Sequence, residues 1–223
     1  MSQATKKKPP NKIGDDEHVF IAGMTGTGKS VLARTYLSGF PVVWKLDIKG
    51  EAISDLKNNK NPWPEVQPKK LAVVTRLSHI PNVDTPYIIY APEHDEMDEH
   101  FYNEFFRMAY FRQNLKVWVD EAMAVSTSHN LPEYYKAILT RGRSRDTAAW
   151  SLSQRPAGIS QTIISQCTHI FAFNLRLQND RKRMAEMTGC PEYLTNPEGH
   201  NFWYYRDGWT DAVKAKLALK GGD

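Results

Sequence analysis

The 223-residue sequence is short of cysteine, short of long apolar runs and, beyond its first residues, short of net charge. Each shortage excludes something. Cys167 and Cys190 have neither the density of a disulfide-stapled secreted scaffold nor the spacing of a zinc site. The sequence therefore predicts two small buried apolar side chains in a reducing compartment. The longest apolar runs, such as VFIA at 19–22 and YIIYA at 87–91, have the length of strands, which predicts no membrane span. The first twelve residues hold no apolar h-region, so no secretory signal is expected there. The seven histidines lack H-x-x-x-H spacing, so no metal is expected beyond one that a bound phosphate brings.

Charge is scarce in a particular way. The formal excess of +4 equals the contribution of Lys6, Lys7, Lys8 and Lys12, which no acid accompanies, so the rest of the chain is neutral. A nucleic-acid partner would have to meet a local basic surface rather than a global field. The expected organisation is a flexible basic N-terminal tail over 1–17 and one domain over 18–223.

What is present is an alternation of strand and helix signals. HVFIAG (18–23) reads as a buried strand, followed by a glycine-rich loop and a helix through KSVLARTYLSG that Gly39 stops. PVVWKLD (41–47), KLAVVT, YIIYA, KVWVDEAM (116–123), AAWSLSQ (148–154) and HIFAFNL (169–175) read as further strands. Residues 58–70, with three prolines, read as an irregular loop. An amphipathic helix is expected from Glu96 to Gln113, its stripe of Met97, Phe101, Phe105 and Met108 packing on a sheet. NFWYYRDGWTDAVKAKL reads as a C-terminal β-hairpin turning at Asp207-Gly208. Together these predict an α/β fold with a mostly parallel central sheet and helices on both faces.

The loop GMTGTGKS (23–30) fits G-x-x-x-x-G-K-[ST]. Gly23, Gly26 and Gly28 let the backbone wrap, so that the N–H groups around Thr25, Thr27 and Val31 converge on phosphate oxygens at a helix N-terminus. In this pattern Lys29 reaches the β- and γ-phosphates, and the Ser30 hydroxyl binds Mg²⁺. VWVDE places Asp120 and Glu121 at the C-terminal end of a buried strand, where open α/β sheets bind ligands. There Asp120 would hold Mg²⁺, and Glu121 would activate an attacking water. A water-activating carboxylate favours hydrolysis of ATP over transfer to a small acceptor.

LTRGRSRDTAAWSLSQRPAGIS (139–160) adds Arg141, Arg143 and Arg145 on a helix end or loop, and Gln154 where the next strand ends. An arginine supplied by a neighbouring subunit stabilises charge on a γ-phosphate in hydrolysis, and a strand-end glutamine can sense that phosphate or its water. Solvated arginines and a satisfied strand-end amide are the plainer alternatives.

The ordered set GMTGTGKS, LDIKGE, VWVDEA and GRSRDTAAWSLSQRP resembles the FtsK–HerA superfamily over roughly residues 18–175. The resemblance implies a P-loop NTPase core of the RecA-like (ASCE) kind, ATP and Mg²⁺ as cofactors, and a ring-forming homo-oligomer, with a hexamer the first expectation. It implies double-stranded DNA as the translocated partner, Arg143, eleven residues before Gln154, as the arginine finger acting in trans, and Gln154 as the sensor. The chain lacks the winged-helix domain or membrane segments of FtsK proteins and the N-terminal barrel of HerA proteins. In that respect it is similar to the genome-packaging ATPases of tailless icosahedral viruses with an internal membrane. That likeness implies capsid-vertex or portal-like partners and residence in the host cytoplasm and at the virion packaging vertex.

Other readings stay open from sequence: an assembly ATPase of the filamentous-phage type, a small-molecule kinase, or a nucleotide-gated interaction module. Candidate DNA contacts are residues 123–136 and the segment 174–183 with Arg176, Arg181, Lys182 and Arg183, which could equally be a solvated helix face. Trp203 and Trp209 in the terminal hairpin could serve a partner.

Overall fold

The computed structural model describes residues 8–217. In chain order these form β1 (Val19–Ala22), α1 (Lys29–Leu37), β2 (Val43–Leu46), α2 (Glu51–Lys57), β3 (Leu71–Val74), β4 (Tyr87–Tyr90) and α3 (Glu99–Arg112). There follow β5 (Lys116–Val119), α4 (Ala122–Val125), α5 (Glu133–Arg141), β6 (Ala148–Ser153), α6 (Gln161–Ser165) and β7 (His169–Ala172). The last elements are α7 (Gln178–Thr188), β8 (Asn201–Arg206) and β9 (Val213–Lys216).

One nine-stranded sheet runs β3-β4-β2-β5-β6-β1-β7-β8-β9. The seven strands β1 to β7 are parallel to one another, and β8 and β9 extend the sheet as an antiparallel hairpin. The fold is α/β and mostly parallel, as the alternating signals predict.

Alternation within each strand decides which helices cover which face. Phe20, Trp44, Ile88, Val117 and Ile170 belong to a core with Tyr102, Phe105 and Phe106 of α3, Tyr135 and Ile138 of α5, Ile163 and Ile164 of α6 and Met184 of α7. Val19, Val43, Tyr87, Trp118 and Phe171, one residue out of step, belong to a second core with Leu32 and Leu37 of α1, Ala52 of α2 and Trp63. Trp63 sits in the proline-rich stretch expected to be an irregular loop. Irregular it is, but its indole is fully buried, edge-on to Tyr87 and Trp118, and donates to the Arg34 carbonyl at 3.3 Å.

Local differences from expectation have local causes. Helix α3 begins at Glu99, because the Asp98 side chain caps it by accepting from the Phe101 N–H at 3.0 Å. Met97 therefore precedes the helix and is 39% exposed, while Tyr102, Phe105, Phe106, Ala109 and Tyr110 form the buried stripe. Both cysteines are free and buried. The expected N-terminal tail lies outside the described residues up to residue 7; from Lys8 it lies against the body. Ile13 is buried, the Pro10 carbonyl accepts from the Tyr36 hydroxyl at 2.5 Å, and Glu17 binds His169 and Arg206. Three apolar or hydrogen-bonding anchors outweigh the lysines nearby. No helix of the described residues is long and apolar enough to cross a membrane.

Candidate active site

Strand order and register create the site. The parallel strands end together: Leu46 pairs with Val119, and Ala22 with Ser153. The residues that follow, Asp47, Asp120, Gly23 and Gln154, therefore emerge along one edge of the sheet. Strand β6 lies between β1 and β5, so Gln154 emerges between the glycine-rich loop and Glu121.

The loop between β1 and α1 has the backbone its composition requires. Gly26 and Gly28 have φ of 79° and 105°, which β-carbon-bearing residues rarely adopt, and a β-carbon on Gly23 would lie 2.7 Å from that of Phe173. Thr25, Gly26, Gly28, Lys29, Ser30 and Val31 line one side of an open cleft of about 270 Å³. The Thr27 hydroxyl donates to the Met24 carbonyl at 2.8 Å. The Lys29 ammonium donates to the same carbonyl at 2.9 Å. Burial, reinforced by the neighbouring Lys49 cation, pushes the Lys29 pKa down to about 8. An anionic phosphate would remove that penalty.

Opposite the loop, the Ser30 hydroxyl donates to Asp120 Oδ1 at 3.2 Å. Asp120 Oδ2 and Asp47 Oδ1 are buried and accept no hydrogen bond. Buried Lys45 lies between them, its ammonium 3.6 Å from Asp47 and 3.9 Å from Asp120. Carboxylate oxygens of Asp47, Glu51 and Asp120 come within 4.8 Å of one another. Burial and the Asp120 charge raise the Glu51 pKa. An all-oxygen donor set with orphaned buried oxygens, next to a hydroxyl, fits a hard divalent cation such as Mg²⁺.

Glu121 is held from three motifs. Gln154 Nε2 donates to Glu121 Oε2 at 3.1 Å, and Gln154 Oε1 accepts from the Thr25 hydroxyl at 3.1 Å. Lys49 Nζ lies 3.2 Å from the same Oε2. Glu121 Oε1 is buried without a partner. Sequence reasoning assigned no role to Lys45, Asp47, Lys49 or Glu51, although LDIKGE was visible as a motif. The hairpin residues His200 and Leu217, which also line the cleft, carried no signal at all.

Arg143 is not brought to this cluster. It lies in the turn of Arg143–Arg145 before β6, at the N-terminal edge of the parallel strands, about 17 Å away along β6 at ~3.3 Å per residue. Its guanidinium is exposed and donates to Thr168 Oγ1 at 3.0 Å. Arg145 stacks on Tyr110, 4.2 Å from the ring centroid. Arg141 ends α5, exposed. Of the segment 174–183, Arg176 and Lys182 are exposed, whereas Arg181 is occupied with the carbonyls of Leu175, Arg176 and Leu194.

No family model matches the chain. It is 26% identical over 175 residues to the DNA packaging ATPase P9 of Enterobacteria phage PRD1, a match covering 75% of this chain and 68% of that protein. The genome packaging NTPase B204 from Sulfolobus turreted icosahedral virus 2, solved in complex with sulfate, superimposes with a TM-score of 0.72 at 16% identity. That match covers 94% of this chain and 100% of the other. The same NTPase in complex with AMPPCP superimposes with a TM-score of 0.71 at 16% identity, covering 92% and 100% of the two chains. In sequence and in fold the chain is thus similar to viral genome-packaging ATPases.

Proposed function

We propose that this chain is an ATP-hydrolysing motor that translocates double-stranded DNA in packaging a viral genome into a preformed capsid. The observation that carries the hydrolytic half is the hydrogen-bonded path from Thr25 through Gln154 to Glu121. It ties the phosphate-facing loop to the carboxylate at the end of β5. A hydrolase needs a base held in place for water, and a carboxylate fixed from the phosphate-facing loop meets that need.

In this reading Gly23, Thr25, Gly26, Thr27, Gly28, Lys29, Ser30 and Val31 cradle the triphosphate of ATP. Ser30 and Asp120 would hold Mg²⁺, which supplies neutralisation of the developing phosphate charge. Glu121 takes a proton from the attacking water, Lys29 stabilises charge on the γ-phosphate, and Gln154 reports the phosphate to Glu121. Arg143, at the far edge of its own sheet, completes the site of a neighbouring subunit in a ring. The motor half draws on the similarity to the packaging ATPases. It makes DNA and capsid-vertex proteins the partners, and the host cytoplasm and virion packaging vertex the place of work.

Steady-state hydrolysis of ATP with and without linear double-stranded DNA tests the reading. DNA-stimulated hydrolysis, lost in Glu121→Gln, is the expected result. Phosphorylation of a small acceptor with no response to DNA would overturn it.

A further inference from the structure

LDIKGE contributes a cation to the site by way of a tight turn. The Asp47 carboxylate accepts from the Ala52 N–H at 2.8 Å, its carbonyl accepts from the Gly50 N–H at 3.2 Å, and Gly50 takes φ 67°. These bonds close the chain between β2 and α2 around Lys49, so its side chain springs from a rigid base. β2 lies next to β5 in the sheet, and the turn thereby faces the end of the acidic strand.

Lys49 is 36% exposed at its side chain and lines the phosphate cleft, yet its ammonium is directed at Glu121. Burial opposes its charge, but Glu121 and Asp120 outweigh that and raise its pKa. Two donors, Lys49 Nζ at 3.2 Å and Gln154 Nε2 at 3.1 Å, converge on Oε2 of Glu121. Nothing holds Oε1. A carboxylate gripped by one oxygen from two directions loses its rotation and keeps a single orientation.

We infer that Lys49 is a positioning residue for hydrolysis: with Gln154 it holds Glu121 by Oε2 and so fixes the orientation in which that carboxylate meets the attacking water. The inference rests on the reading of Glu121 as the group that activates water. Lys49 itself touches neither water nor phosphate in this step. It acts through Glu121, and this sets it apart from Lys29.

The test is a double-mutant cycle on the full chain, read by single-turnover ATP hydrolysis and by binding of the analogue AMPPCP. Lys49→Ala is expected to slow the hydrolytic step by about tenfold or more, within the range that misplacing a reacting group by about 1 Å produces. AMPPCP affinity should stay within about threefold, because the loop and Lys29 carry phosphate binding. Lys49→Arg, which keeps the cation, should recover most of the rate. Added to Glu121→Gln, Lys49→Ala should cost nothing further, since a positioner has no effect once its client is gone. Multiplying effects in the double variant, a wild-type rate in Lys49→Ala, or a collapse of AMPPCP affinity with the rate intact would each overturn the inference. A wild type that binds AMPPCP but never hydrolyses ATP would instead sink the reading of Glu121, and the inference with it.

Discussion

The two edges of the parallel sheet hold their charges in opposite ways. At the C-terminal edge, Lys29, Lys45, Lys49, Asp47, Asp120, Glu121 and Gln154 face one another from four separate segments of chain, most of them buried. At the N-terminal edge, Glu17 gathers the Gly14 N–H, His169 and Arg206, and the depression beside it opens to Arg143. That arginine donates to an uncharged hydroxyl, Thr168, and stands in solvent. An edge whose charges converge is equipped to receive a ligand. An edge with a cation tied to no acid among the described residues is equipped to act on something outside the chain. Under the proposed function, the first edge would hold the nucleotide and the second would offer its arginine to a neighbouring subunit.

The comparison breaks most sharply at Arg143. Arg143→Ala should lower DNA-stimulated hydrolysis by about a thousandfold, as loss of an arginine finger does, while AMPPCP still binds. A rate near wild type would show the outward edge to be idle and would hand the role to Arg141. The inward edge breaks at Glu121. Replacement by Gln should lower the hydrolytic rate by about a hundredfold or more with analogue affinity kept, the size expected for loss of a general base. A variant that hydrolyses normally would mean that the convergent cluster binds but does not activate water.

Smaller effects sharpen the outward edge. The His18 ring accepts the Ala149 N–H through Nδ1 at 2.9 Å. Burial, with the Arg143 cation second, pushes its pKa to about 4. Since the folded state resists a proton that the unfolded state takes up near 6.5, stability is complete above pH ~6.5 and falls between there and pH ~4, by up to about 3 kcal/mol. Urea midpoints across that range check this. His18→Asn, whose amide oxygen can still accept the Ala149 N–H, should flatten the profile, and an unchanged profile would place the acid sensitivity elsewhere. Least affected should be Arg145→Ala, which loses a stacking contact on Tyr110 worth about 0.5–1 kcal/mol and leaves hydrolysis untouched. A fall in hydrolysis there would move the finger from Arg143 to Arg145.

Much of the inward edge was legible from sequence, because its residues sit at fixed offsets from strands that alternate or run apolar. GMTGTGKS and VWVDE each fall at a strand end, and parallel strands that pair in register must bring their ends together. Lys49 was not legible as a partner of Glu121. Lysines in turns carry no periodic signal, and nothing local says that β2 will lie against β5. Gln154 was expected beside the acidic strand; its simultaneous bond to Thr25 depends on β6 lying between β1 and β5, a matter of sheet order. Residues 8–17 lie against the body through anchors such as Ile13 and Glu17, which charge composition does not reveal. At the outward edge, three alternate arginines looked alike, and only packing separates Arg145 on its tyrosine from Arg143 in solvent.

The central claim is that one subunit's inward edge works with another's outward edge, and mixing impaired subunits tests it directly. Arg143→Ala and Glu121→Gln chains, each strongly impaired alone, would be combined and assayed with double-stranded DNA. The account predicts that activity returns, because an intact Glu121 in one chain meets an intact Arg143 from its neighbour. A mixture as inactive as its parts, assembled to the same extent as wild type, would contradict it.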